Sequence, residues 1–183
     1  MRQSDRVSAT AGDSMLHRFD RTLLAVNRGL IIAILAAMAA IVFANVVLRF
    51  ATDHSLLFVE EAARYLMIWL TFLGAGPVLR YGGHLGIDTL REHLPRHAAA
   101  VRAAVFAVLL AFFVFMVWVG IRYATFAWGQ TTPVLGIPIG AVYLAMPIGF
   151  ALSILHLCLM AEPYVLRGAL LADGEFDADA ANL

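Results

Sequence analysis

Four long apolar runs decide what this chain can fold into. They occupy residues 29–48, interrupted only by Asn45, then 65–79, 103–121 and 137–161. A hydrocarbon core of about 30 Å is crossed by about 20 residues at about 1.5 Å each. In lipid, each crossing segment must satisfy its own backbone, which selects the α-helix. The second run is short, but helical sequence extends it back through Arg64, Glu61 and Glu60. Composition agrees: 62% of the chain is hydrophobic and 14% is charged, against about 45–50% and about 25% in soluble domains. A soluble fold of this length cannot cover so much apolar surface. That excludes a soluble enzyme, a disordered chain and a free nucleic-acid binder. The expected fold is an all-α integral membrane protein with four transmembrane helices, over about 29–50, 57–80, 100–124 and 137–164.

The arginines orient these helices. All 13 basic residues are arginine. Arg2, Arg6, Arg18, Arg21 and Arg28 precede the first span, Arg80, Arg91, Arg96 and Arg102 lie between the second and third, and Arg167 follows the fourth. The opposite side has only Arg49, Arg64 and Arg122. Short cytoplasmic loops concentrate arginine, so both termini are expected in the cytoplasm. The first run is too long for a signal peptide and reads as an uncleaved span. Tyr65, Tyr123 and Trp128 fall at the outer interface, Tyr81 and Tyr164 at the inner one. Residues 1–16 read as a mobile cytoplasmic tail, 17–167 as the membrane domain, and 168–183, with Asp173, Glu175, Asp177 and Asp179, as an acidic cytoplasmic tail. His17 to Arg28 has the pattern of an amphipathic surface helix. Thr89 to Glu92 fits a capping box and Pro95 a stop, which predicts a short interfacial helix between spans two and three.

Few side chains in these spans can carry chemistry. Glu60 and Arg64 stand at i,i+4 with the acid first, the favourable order. Two readings stay open: a helix entrance that satisfies itself, which the spacing favours, or a polar contact with a partner. Arg80 and His84 flank Tyr81-Gly82-Gly83 and read as a positive anchor with a glycine stop, with Asp88 capping the next helix. Gly74, Ala75 and Gly76 form a small-residue patch that permits close helix approach. Pro77 and Pro147 bend helices and free carbonyls. Trp69 and Trp118 are expected to pack between helices. His156, the only histidine deep in a span, and Asn45 are expected to hydrogen-bond another helix. Cys158 stands alone, which excludes an internal disulfide. There is no nucleotide loop, zinc motif or nucleophile elbow, and no acid at mid-membrane depth. No cofactor, metal or catalytic activity is expected, and the chain reads as a subunit that supports something else.

The block Glu60-Glu61-Ala62-Ala63-Arg64-Tyr65, the apolar run through Trp69 to Gly74-Ala75, then Arg80, Gly82-Gly83-His84 and Asp88 form one constellation. It resembles the small permease subunit, of the DctQ type, of tripartite ATP-independent periplasmic (TRAP) transporters. The resemblance is close over about 30 residues and looser over most of the four-span region. It implies a multi-pass protein of the bacterial inner membrane. Its partners would be a large permease subunit, a periplasmic substrate-binding protein and membrane lipid, with no nucleic acid. The large subunit would move an organic anion, such as a dicarboxylate or sugar acid, on an ion gradient. The small subunit would enlarge its fixed scaffold. The resemblance makes Glu60, Glu61, Arg64, Trp69, Gly74, Arg80, His84 and Asp88 interface positions rather than transport-site ligands.

Two other functions compete, beside a purely structural assembly factor that would differ from the favoured reading mainly in its partner. A respiratory membrane anchor holding b-type haem needs two facing histidines, and His156 alone qualifies. A small stand-alone exporter needs a deep acid to couple protons, and none is present.

Overall fold

A computed structural model describes residues 3–80 and 98–161. Its helices are α1 (Gln3–Thr52), α2 (Phe58–Arg80), α3 (Ala98–Phe126), α4 (Ile139–Tyr143) and α5 (Ala145–Leu159), with a 3₁₀ turn at Ala127–Gly129. Four segments are long and apolar enough to cross a membrane: Arg18–Thr52, Phe58–Arg80, Arg102–Gly129, and α4 with α5 as Ile139–Leu159. The all-α, four-span fold stands. The expected interfacial helix and the acidic tail lie outside the described residues.

α1 differs from the expected layout. It is helical from Gln3 and continuous through the first span, so His17 to Arg28 is the lower part of one rod, not a separate surface helix. No proline interrupts this stretch, and Gly29 alone does not stop a helix. The rod ends where Asp53 takes a left-handed φ of 58° and its N–H donates to the Arg49 carbonyl at 3.1 Å. Asn45 ties the following turn, its Oδ1 accepting from the Leu56 N–H at 2.7 Å. It therefore serves a loop, not another helix.

α5 is the hub, packed between α2 and α3, while α1 lies against α2. The α2–α5 crossing is close because residue 149 is glycine. A Cβ there would meet the Phe72 carbonyl oxygen at 2.5 Å. Beside the crossing, the Phe150 ring meets Phe72, Phe112 and Phe113 with centroids 5.6–5.9 Å apart, within the range of favourable aromatic pairs. Leu79, Phe113 and Leu157 complete the core. Pro147 explains the interruption at Leu144: it has no N–H for the Tyr143 carbonyl and its ring crowds that group. Trp118 corrects one expectation. It is exposed on the face of α3 turned away from α5, 6.0 Å from the Arg122 guanidinium. From Arg28 to Thr52, no residue of α1 is fully buried in this chain.

Candidate functional site

At the end holding the 127–138 connection, the acidic pair of α2 divides its roles. Glu60 and Arg64 are exposed, and no ion pair forms between them among the described residues. Glu61 is 6% exposed. Its Oε2 accepts from the N–H groups of Val134 and Leu135 at 2.8 and 3.0 Å, and its Oε1 accepts from the Tyr65 hydroxyl at 2.7 Å. The connection is otherwise held by the Thr132 N–H on the Ile137 carbonyl at 2.9 Å and the Ile139 N–H on the Gln130 carbonyl at 2.8 Å. Gly136, at φ 66°, makes the reversal. Successive N–H groups in such a turn make a concavity that suits an anion, and a carboxylate fills it.

At the other end, α1 and α2 meet through a polar ladder. Arg80 is 2% exposed. Its Nη1 donates to Asp20 Oδ2 at 2.8 Å and its Nη2 donates to Asp20 Oδ1, the fork-to-carboxylate match of arginine. Seven residues up α1 and seven down α2, the Asn27 Nδ2 donates to the Leu73 carbonyl at 3.1 Å. That carbonyl is free because Pro77, four residues on, has no N–H to give it. The same Asn27 nitrogen lies 3.4 Å from His156 Nε2 on α5. His156 is wholly buried, and its ring lies over Gly76, where a Cβ would meet Cδ2 at 2.4 Å. Asn27 Oδ1, Arg80 Nε and His156 Nδ1 have no partner among the described residues.

Between the ends, α1 and α2 leave an open groove of about 660 Å³. Met38, Ala39, Val42, Phe43, Val46, Ala63, Arg64 and Met67 line it. Arg64 is its only charged lining residue.

The expected site residues thus separate. Glu60 and Arg64 face outward, and Trp69 and Gly74 are half-buried. Gly74 has open space where a Cβ would stand, so the close contact of the small-residue patch falls on Gly76. Glu61 and Arg80 are spent on contacts inside the chain. His84 and Asp88 lie outside the described residues. Sequence reasoning missed Asp20 and Asn27, although their seven-residue spacing places them on one face of a helix. It also missed the 131–138 turn as the donor to Glu61.

Comparison with known proteins places this arrangement. Residues 38–161 match the family of tripartite ATP-independent periplasmic transporters, DctQ component. The ectoine TRAP transporter small permease protein TeaB of Halomonas elongata is 33% identical over 144 residues, covering 77% of this chain and 71% of the relative. A TRAP transporter small permease protein of Haemophilus influenzae is 31% identical over 123 residues, 65% of this chain and 74% of the relative. A second from that organism is 29% identical over 116 residues, 62% and 70% of the two chains. Four apolar spans, the acidic entrance to α2 and these matches together identify the chain as a member of the DctQ family, the small permease component of TRAP transporters.

Proposed function

We propose that the chain packs against the large permease subunit of a TRAP transporter, with α1 and the α1–α2 groove as the contact face. It is a non-catalytic scaffold in the bacterial inner membrane with both termini in the cytoplasm. The large subunit moves a small organic anion, delivered by a periplasmic binding protein, on an ion gradient. The observation that supports this is the state of α1. It is apolar along its span and has no fully buried residue from Arg28 to Thr52, while the groove beside it carries one cation. Asp20 with Arg80, and Asn27 with the Leu73 carbonyl and His156, bond across helices, which suits a fixed body better than a transport path. Glu60, Arg64, Trp69 and Gly74 are proposed as contact positions. Glu61 and Arg80 support the face from inside, and His84 and Asp88 belong to the inner turn.

Purification of the tagged chain from its native membrane in mild detergent tests this. A stoichiometric multi-span permease is expected to accompany it. Ala39→Trp, which fills the groove, is expected to reduce that yield at least tenfold, and Arg64→Gln severalfold. A chain that elutes alone, or full retention by Ala39→Trp, overturns the reading. A haem-coloured eluate points to the redox anchor instead. The Halomonas relative is named for ectoine, so ectoine joins dicarboxylates and sugar acids as the first solutes for uptake assays.

A further inference from the structure

We infer that His156, as the neutral tautomer carrying its proton on Nδ1, is a positioning residue that locks α1 in register on α2 and α5 through Asn27. The consequence for the contact face rests on the function proposed above.

The tautomer follows from the hydrogen bonds. The Leu73 carbonyl can only accept, so the Asn27 group facing it at 3.1 Å is the NH₂. The other hydrogen of that NH₂ is available to His156 Nε2, 3.4 Å away. Nε2 must then present its lone pair, and the ring proton sits on Nδ1. A doubly protonated ring would set two donors against each other.

The need for a lock follows from the surroundings. Apolar helices in lipid gain little hydrophobic preference for one register over another. α1 is such a helix, and its packing is on α2. The Asp20–Arg80 pair and the Asn27–Leu73 contact stand two turns apart, about 10 Å, and their equal spacing on both helices defines an antiparallel register. His156 adds the third helix. Gly76 makes room for the ring, since a Cβ there would overlap it. The cluster also leaves buried polar atoms without partners among the described residues, which costs stability. Polar groups retained at such a cost are best attested as devices that fix register.

Three readouts on the full-length chain in lipid nanodiscs test the lock. Nitrogen NMR, with the His156 signal assigned by its absence in His156→Gln, should show an unprotonated Nε2 and a protonated Nδ1 in the unaltered chain. A protonated Nε2 overturns the inference, whatever the variants do. Next, spin labels replace the exposed Phe50 on α1 and Val108 on α3 in a Cys158→Ser background. A narrow distance distribution is expected. Asn27→Leu and His156→Phe should each broaden it at least twofold, the double variant no further, and His156→Gln, which keeps an acceptor, should stay narrow. An unchanged width in Asn27→Leu, or broadening in His156→Gln equal to that in His156→Phe, overturns the lock. Finally, Asn27→Leu is tested for co-purification of the large subunit. Broadening with loss of the partner supports both readings. Broadening with the partner retained leaves the lock standing and removes the α1–α2 face as the contact.

Discussion

At the residue scale, two glycines two positions apart on α2 separate a packing requirement from a compositional habit. Gly76 lies under the His156 ring, and an added Cβ would meet it at 2.4 Å, whereas Gly74 has nothing within 4 Å. Gly76→Ala is expected to destabilise the purified chain by about 1–3 kcal/mol, the usual cost of overpacking. Gly74→Ala should be neutral or stabilising by up to about 1 kcal/mol, because alanine is the better helix former. Thermal unfolding in detergent measures both, and equal shifts would remove the special role of Gly76. The buried ion pair gives a second contrast. Asp20→Asn leaves the Arg80 guanidinium, 2% exposed, facing a neutral partner. Removing one member of a buried pair costs about 3–5 kcal/mol. Asp20 keeps partial solvent access, so a loss near about 3 kcal/mol is expected in the same unfolding assay.

At the element scale, Glu61 determines the shape of the connection between α3 and α4. Its carboxylate takes two backbone N–H groups that no helix or strand uses. Glu61→Gln keeps the shape but replaces a charged acceptor with a neutral one, and charge-assisted bonds are roughly twice as strong. Amide hydrogen exchange at Val134 and Leu135 should speed up about tenfold, with exchange in the α2–α5 core unchanged. Unchanged exchange at those two amides would show that the turn holds itself. The same elements show what was legible from residues alone. The spans were, because lipid imposes a length and a polarity that each run meets locally. So was the carbonyl freed by Pro77. Its donor was not, because Asn27 lies 46 residues away. Glu60 and Arg64 invited a local pairing by spacing, yet the acid that matters is the next one along, and its partners are 73 and 74 residues distant. Local periodicity sees one helix at a time, whereas the contacts of Asn27, Arg80 and Glu61 with Leu73, Asp20 and the 134–135 amides join elements far apart in the chain.

At the scale of the whole molecule, internal contacts fix which segments share an end, and arginine placement along the sequence supports the proposed orientation of those ends. Asp20 on Arg80 puts the start of the first span beside the end of the second. Glu61 on Val134 puts the start of the second span beside the 127–138 connection. These two groups therefore lie at opposite ends of α2, about 28 Å apart along nineteen helical steps, close to the thickness of a hydrocarbon core. In the sequence, ten of the thirteen arginines precede the first span, lie between the second and third, or follow the fourth, which supports the proposed orientation with the Asp20 side in the cytoplasm. Membrane-impermeant maleimide on intact spheroplasts checks this in a Cys158→Ser background. Thr131→Cys, exposed in the connection, should label fully without permeabilisation. Arg21→Cys, exposed near the start of the first span, should label only after the membrane is opened. The reverse pattern would invert the protein. It would also turn the Glu61-pinned connection away from any periplasmic binding protein, so the accessibility of residue 131 bears on the transporter reading as directly as the partner itself.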